Sequence, residues 1–174
     1  SNADLDMAVD ALMQSERLDY VLIVSGDGDF VQVVRALQNK GCRVEVLAFN
    51  NVSQDLKNEA DVFTSGYLVP QLAPIEMHDS NNDKKIVRGV CYSFNHEKGY
   101  GFMRFMKDIS GGLWITDSRK SESAYQTAFV HNSQFQSNID LNKLPNREMI
   151  FEFELRNVEG KGLQAEYVKL LEGR

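Results

Sequence analysis

The first third of the chain alternates between two hydrophobic periods. Leu5, Ala8, Val9, Leu12 and Met13 fall at i, i+3, i+4, i+7 and i+8, the spacing of an amphipathic helix. Tyr20-Val21-Leu22-Ile23-Val24 is an unbroken apolar, β-branched run, which predicts a strand buried on both faces of a parallel sheet. Phe30, Val33, Val34 and Leu37 return to helical spacing, and Gly41 stands where a C-terminal cap belongs. Val44 to Ala48 reads as a second strand, Ser53 to Glu59 as a short helix and Val62-Phe63-Thr64 as a short third strand. Strands separated by helices at these intervals predict right-handed βαβ units.

Pro70 and Pro74 then lead into His78-Asp79-Ser80-Asn81-Asn82-Asp83-Lys84-Lys85, polar and aperiodic, which reads as a linker over 70–85 with His78 solvated. Beyond it the period shortens to two. Alternating segments at 86–94, 100–106, 112–116, 127–131, 148–157 and 163–170, spaced by turn signals, predict a small antiparallel barrel or sandwich. Residues 107–126 are polar for a barrel connection except Leu113-Trp114-Ile115 after Gly111-Gly112, an added hairpin or ordered loop. The expected organisation is an α/β unit over 4–69, the linker, and an all-β unit over 86–172. Ser1-Asn2-Ala3 reads as the remnant of a removed expression tag.

Charge separates the halves as periodicity does. Residues 1–85 carry 7 Lys/Arg against 14 Asp/Glu, a net of −7; the rest carry 12 against 11, a net of +1, summing to the −6 of the chain. The net charge argues against a protein that coats nucleic acid by bulk electrostatics. No apolar stretch approaches the ~20 residues of a membrane helix, and no signal-peptide pattern is present. Cys42 and Cys91 lie far apart in strand-like settings, as buried free thiols in a reducing cytoplasm would.

Two stretches carry chemistry. In Val24-Ser25-Gly26-Asp27-Gly28-Asp29-Phe30, two carboxylates stand among glycines at the end of a predicted strand, where open α/β sheets form ligand crevices. Acidic residues there would repel a diphosphate, and the following Val31, Val33 and Val34 supply no side-chain oxygens for a calcium loop. Asp29 is placed to cap the next helix, with Gln32 completing a capping-box pattern. Asp27 is either a turn residue or a cation ligand. Asp4, Asp6 and Asp10 lie on or before the first helix; they form either a solvated acidic helix start or part of a divalent-cation site.

In the second half, Tyr100 and Phe102 sit two apart on one predicted strand and so share a face, with Gly101 keeping the opposite side small. Singly, these aromatics suit a barrel core; together with Lys98 they suit base stacking, with His131 stacking on or hydrogen-bonding a base edge. Gly89-Val90-Cys91-Tyr92-Ser93-Phe94-Asn95, Lys98-Gly99-Tyr100-Gly101-Phe102 and Phe129-Val130-His131 resemble the cold-shock domain, and Gly160, Gly162, Gln164, Ala165 and Val168 continue the resemblance. It implies a five-stranded OB-fold barrel, here with a long inserted loop or hairpin. It further implies single-stranded RNA or DNA as partner, bound by Tyr92, Phe94, Lys98, Tyr100, Phe102, Phe129 and His131. Ser93 stands where that family usually has Trp, Tyr92 where it often has Lys, and the connection from Met103 to Ala128 is longer than in compact members.

The stretch from Asp4 through SGDGDF to Ala60-Asp61-Val62-Phe63 resembles the C-terminal part of an NYN domain, a PIN-like nuclease family. That resemblance implies a Rossmann-like parallel sheet whose acidic residues hold Mg²⁺ or Mn²⁺ and hydrolyse RNA. Asp4, Asp10, Asp27 and Asp29 fall at the family's catalytic and metal-binding carboxylates. The family's first strand, with its own metal-binding Asp, would lie before residue 4, so a longer parent ribonuclease is expected and this chain is expected to be inactive. An alternative is a non-catalytic regulatory protein with a degenerate nuclease-like unit. The open sheet edge predicts a homodimer.

Overall fold

A computed structural model describes residues 2–75, 85–109, 115 and 117–173. The chain forms two compact units, Ser1–Gly66 and Tyr67–Arg174. The expected solvated His78 and the Leu113-Trp114 part of the expected hairpin lie outside the described residues, as does most of the predicted 112–116 strand.

The first unit is α/β, as expected. Helix α1 (Asn2–Gln14) precedes β1 (Tyr20–Val24), α2 (Val31–Asn39), β2 (Arg43–Ala48), α3 (Gln54–Glu59) and β3 (Val62–Ser65). The strands form a parallel sheet in the order β1-β2-β3. One face is closed by Ile23, Val44 and Val46 packing with Val34 and Leu37 of α2 and Leu56 of α3. Helix α2 ends in paired bonds: the Gly41 N–H donates to Gln38 O and the Cys42 N–H to Leu37 O. Gly41 takes φ +91°, a conformation that a side chain would resist. At the head of β3, Asp61 accepts from the Val44 N–H at 2.7 Å, locking the register of the last two strands.

Two expectations for this unit need correction. The β1 run is not buried on both faces: Leu22 is 46% and Val24 60% exposed, because β1 is an edge strand and the helical core covers only the Val21/Ile23 side. The apolar stripe of α1 is likewise split. Ala11 and Leu12 pack on the core while Leu5, Val9 and Met13 face solvent.

The second unit is a closed barrel built from β4 (Lys85–Asn95), β5 (Tyr100–Met106), β6 (Tyr125–His131), β7 (Asn146–Val158) and β8 (Gly162–Glu172), in the order β4-β5-β6-β8-β7. All neighbours are antiparallel except the β6–β8 contact at Phe129 and Gln164. Alternation sends Val87, Cys91, Met103, Phe105, Ala128, Val130, Phe151, Phe153, Ala165 and Val168 inward. Gly101 is required by close approach: a Cβ there would run into the Ser93 carbonyl and the Phe94 ring. On the outside of β4 and β7, Arg88 and Glu152 form a buried ion pair at 2.9 Å. Arg88 also donates to the carbonyls of Ala73 and Pro74 and lies 5.5 Å over the Tyr67 ring, tying residues 67–75 to the barrel.

Candidate nucleic-acid interface and acidic loop

Strand register decides which aromatics meet. β5 pairs Tyr100 with His131, Phe102 with Phe129 and Arg104 with Thr127, so these pairs line the outer face while Gly101, Met103 and Phe105 point inward. On that face the Tyr100 and Phe129 rings lie 5.5 Å apart and tilted, and Phe102 stands edge-on to both at 6.3 and 6.0 Å. Tyr92 extends the group, its ring 6.5 Å from that of Phe102. Tyr92 reaches the outer face by alternation from the inward Cys91, and the register shift after Cys91 places Ser93 opposite Phe102. Phe102 remains 36% exposed, a large apolar ring held at the surface by neighbours that are themselves only half-buried.

Not all of the expected residues join this face. Phe94 pairs with Gly101, on the inward side of β5, and packs against the core, edge-on to Phe135 at 6.1 Å and to His96 at 5.1 Å. The alternation that brings Tyr100 and Phe102 outward takes Phe94 inward. Ser93, opposite Phe102, leaves that part of the face without a ring. Lys98 is exposed in the β4–β5 turn, where its N–H is held by Asn95 at 2.9 Å. His131 caps the short helical turn Asn132–Gln134: its Nδ1 accepts from the Ser133 N–H and lies 2.8 Å from Ser133 Oγ. That pattern assigns the neutral ring to the Nε2–H tautomer, with a donor turned outward.

Sequence reasoning missed two residues beside this group. Arg104 continues the outward alternation Tyr100, Phe102, and its guanidinium lies 5.7 Å from the Tyr92 centroid and 5.5 Å from that of Tyr125. The signal was present as period two at 100, 102 and 104; Tyr125 could be placed only by the β5–β6 register.

The acidic loop follows β1. Ser25, Gly26, Asp27 and Gly28 line a shallow concavity with Asn51, Val52 and Ser53, at the C-terminal ends of β1 and β2. The Ser53 N–H donates to Gly26 O at 3.0 Å, joining the two loops. Here the capping expectation is corrected. The residues Gly28–Phe30 form a short helical turn capped by Asp27, whose Oδ1 accepts from the Asp29 N–H at 2.9 Å, and Asp29 is the residue capped. The helical turn begins two residues earlier than the capping-box pattern implies. Asp27 and Asp29 are both exposed.

The carboxylates expected to share a divalent cation are Asp4 and Asp10 on α1 with Asp27 and Asp29 in the loop. Among the described residues, no group of three or more His, Cys, Asp or Glu side chains is placed to hold one ion. One Asp27 oxygen is already engaged by the backbone. No described helix is long and apolar enough to cross a membrane.

Residues 1–73 match the NYN domain family, a stretch that contains α1, the acidic loop and all three strands of the parallel sheet. A solved structure of a protein of unknown function from Vibrio parahaemolyticus RIMD 2210633 is similar at 36% identity over 36% of this chain, with a TM-score of 0.34. The similar region spans 40% of that chain's length. No curated protein matches.

Proposed function

We propose that this chain serves RNA metabolism as a single-stranded nucleic-acid-binding protein, with the barrel acting as an OB-fold of the cold-shock kind. The carrying observation is the cluster of Tyr92, Tyr100, Phe102 and Phe129 on the outer faces of three adjacent strands. Surface rings are costly in water unless something stacks on them, and every base has a face to offer, at about 1–3 kcal/mol per stacked base. The strand order β4-β5-β6-β8-β7, with its single parallel contact, supports the OB-fold reading. The near-neutral second half favours affinity from stacking more than from counterion release. Lys98 is positioned for phosphate and His131 Nε2 for a base edge.

The test is fluorescence anisotropy with labelled single-stranded RNA and DNA of equal sequence. Tyr100→Ala with Phe102→Ala should weaken binding by about 2–6 kcal/mol if both rings stack. Unchanged affinity in a folded double variant would place the ligand elsewhere, and comparing the two sugars reports any 2′-hydroxyl contact.

The match of residues 1–73 to the NYN domain favours a second reading, in which the first unit is a nuclease-like module acting on RNA. The described carboxylates do not compose a metal centre, so no hydrolytic step is assigned to them. Incubation with single-stranded RNA in Mn²⁺, with EDTA as control, tests this reading. Asp27→Asn keeps the helix cap while removing the charge. Cleavage lost in that variant supports it; equal cleavage by both, or by neither, leaves binding alone.

A further inference from the structure

We propose that Arg104 forms a phosphate position that continues the aromatic face beyond Phe102. A bound strand would then run along β5 from Tyr100 to Arg104, its backbone phosphodiester received between Tyr92 and Tyr125. This rests on the barrel binding single-stranded nucleic acid, and it adds a direction and an anionic contact to that reading.

Tyr100, Phe102 and Arg104 alternate on one strand and share its outer side, a run of about 14 Å at strand rise. Arg104 is half-buried between two tyrosine rings, which hold the guanidinium by cation–π contacts and restrict its rotamers.

The described arginines of this unit are Arg88, Arg104, Arg119, Arg147 and Arg156. Arg88 pairs with Glu152, Arg119 with Asp117 and Arg156 with Glu166, each within 3.2 Å. Arg104 and Arg147 have no ion pair or side-chain hydrogen bond among the described residues. Burial, and then the like charge of nearby Arg147, lower the pKa of Arg104 below its ordinary value. A half-buried guanidinium with aromatic walls and no paired carboxylate among the described residues is electrostatically unfavourable by itself and is relieved by an anion. A guanidinium fork is suited to phosphate oxygens, and the rings beside it suit the flanking bases.

The experiment uses the full chain and a labelled oligouridine of about eight nucleotides, within the range of sites on OB-folds. Affinity is measured from low to high KCl for wild type, Arg104→Gln, Arg104→Lys and the Tyr100→Ala/Phe102→Ala variant. Each phosphate contact on a single strand contributes about 0.7 to the slope of log K against log salt. Arg104→Gln should lower the slope by about 0.7 and weaken binding about fivefold at 0.1 M salt, the loss shrinking toward 1 M. Arg104→Lys should keep most of the slope. The aromatic double variant should weaken binding at every salt concentration with its slope unchanged. Thermal stability of unliganded Arg104→Gln should equal or exceed wild type, separating a lost contact from a damaged fold. If wild type binds through the rings but Arg104→Gln keeps both slope and affinity, the phosphate position is overturned and the aromatic platform stands. Loss of affinity with an unchanged slope also overturns it, by assigning Arg104 a packing role. No binding by wild type, or binding indifferent to the ring variant, overturns the platform and the phosphate position together.

Discussion

Glu152→Gln should destabilise the barrel far more than its conservative volume suggests. The Glu152 side chain is fully buried and that of Arg88 only 4% exposed, with Nε and Oε2 2.9 Å apart. Removing one member of such a pair leaves an uncompensated buried charge, at about 3–5 kcal/mol. Arg88 would keep its bonds to the carbonyls of Ala73 and Pro74, which places the expected loss near the lower end, about 3 kcal/mol. For a unit of about one hundred residues this corresponds to a fall in melting temperature of roughly 12 °C. Replacing both partners, as Arg88→Met with Glu152→Leu, should recover most of that loss, because no charge then remains to desolvate. Guanidinium denaturation followed by far-UV circular dichroism measures all variants, with Arg88→Met completing the double-mutant cycle. Limited proteolysis within 67–75 reads whether that segment is released. A Glu152→Gln change of less than about 0.5 kcal/mol would refute the argument, by showing that the pair is solvated or contributes nothing to holding the segment.

Three further outcomes are expected. Asp27→Ala should cost about 1 kcal/mol of stability in the first unit and Asp29→Ala only a few tenths, because Asp27 supplies the cap; the reverse order in chemical denaturation would restore the assignment read from sequence. Burial pushes the Cys91 thiol up from 9.0 to about 11, so its folded form holds a proton that the unfolded form releases. Its contribution is full below about pH 9 and lost as pH rises through about 11, by at most roughly 2–3 kcal/mol, and wild type measured against Cys91→Ala isolates it from other titrating groups. Finally, edge strand β1, with Leu22 and Val24 exposed, should support self-association in sedimentation velocity; a clean monomer at high concentration would exclude it.

The elements themselves were legible in the sequence because periodicity records backbone geometry locally. The helical spacing around Val34 and Leu37, the runs at Tyr20–Val24 and Arg43–Ala48, and the alternation of Tyr100 and Phe102 each follow from where consecutive side chains point. Apolar content could not say which side of an element would be covered. Tyr20–Val24 looks like an interior strand, yet Leu22 and Val24 lie bare because the strand is at the sheet's edge. Phe94 and Phe102 are the same residue type in neighbouring strands. The register with β5 sends one to the core and the other to the surface. The acidic loop was legible as a cluster of carboxylates after a strand, but which one caps the turn depended on where the chain bends. Arg104 could be read as a residue on the Tyr100 face. Its lack of a carboxylate became visible only once distant strands had been brought together, since pairing between side chains depends on tertiary distance and sequence order does not contain it.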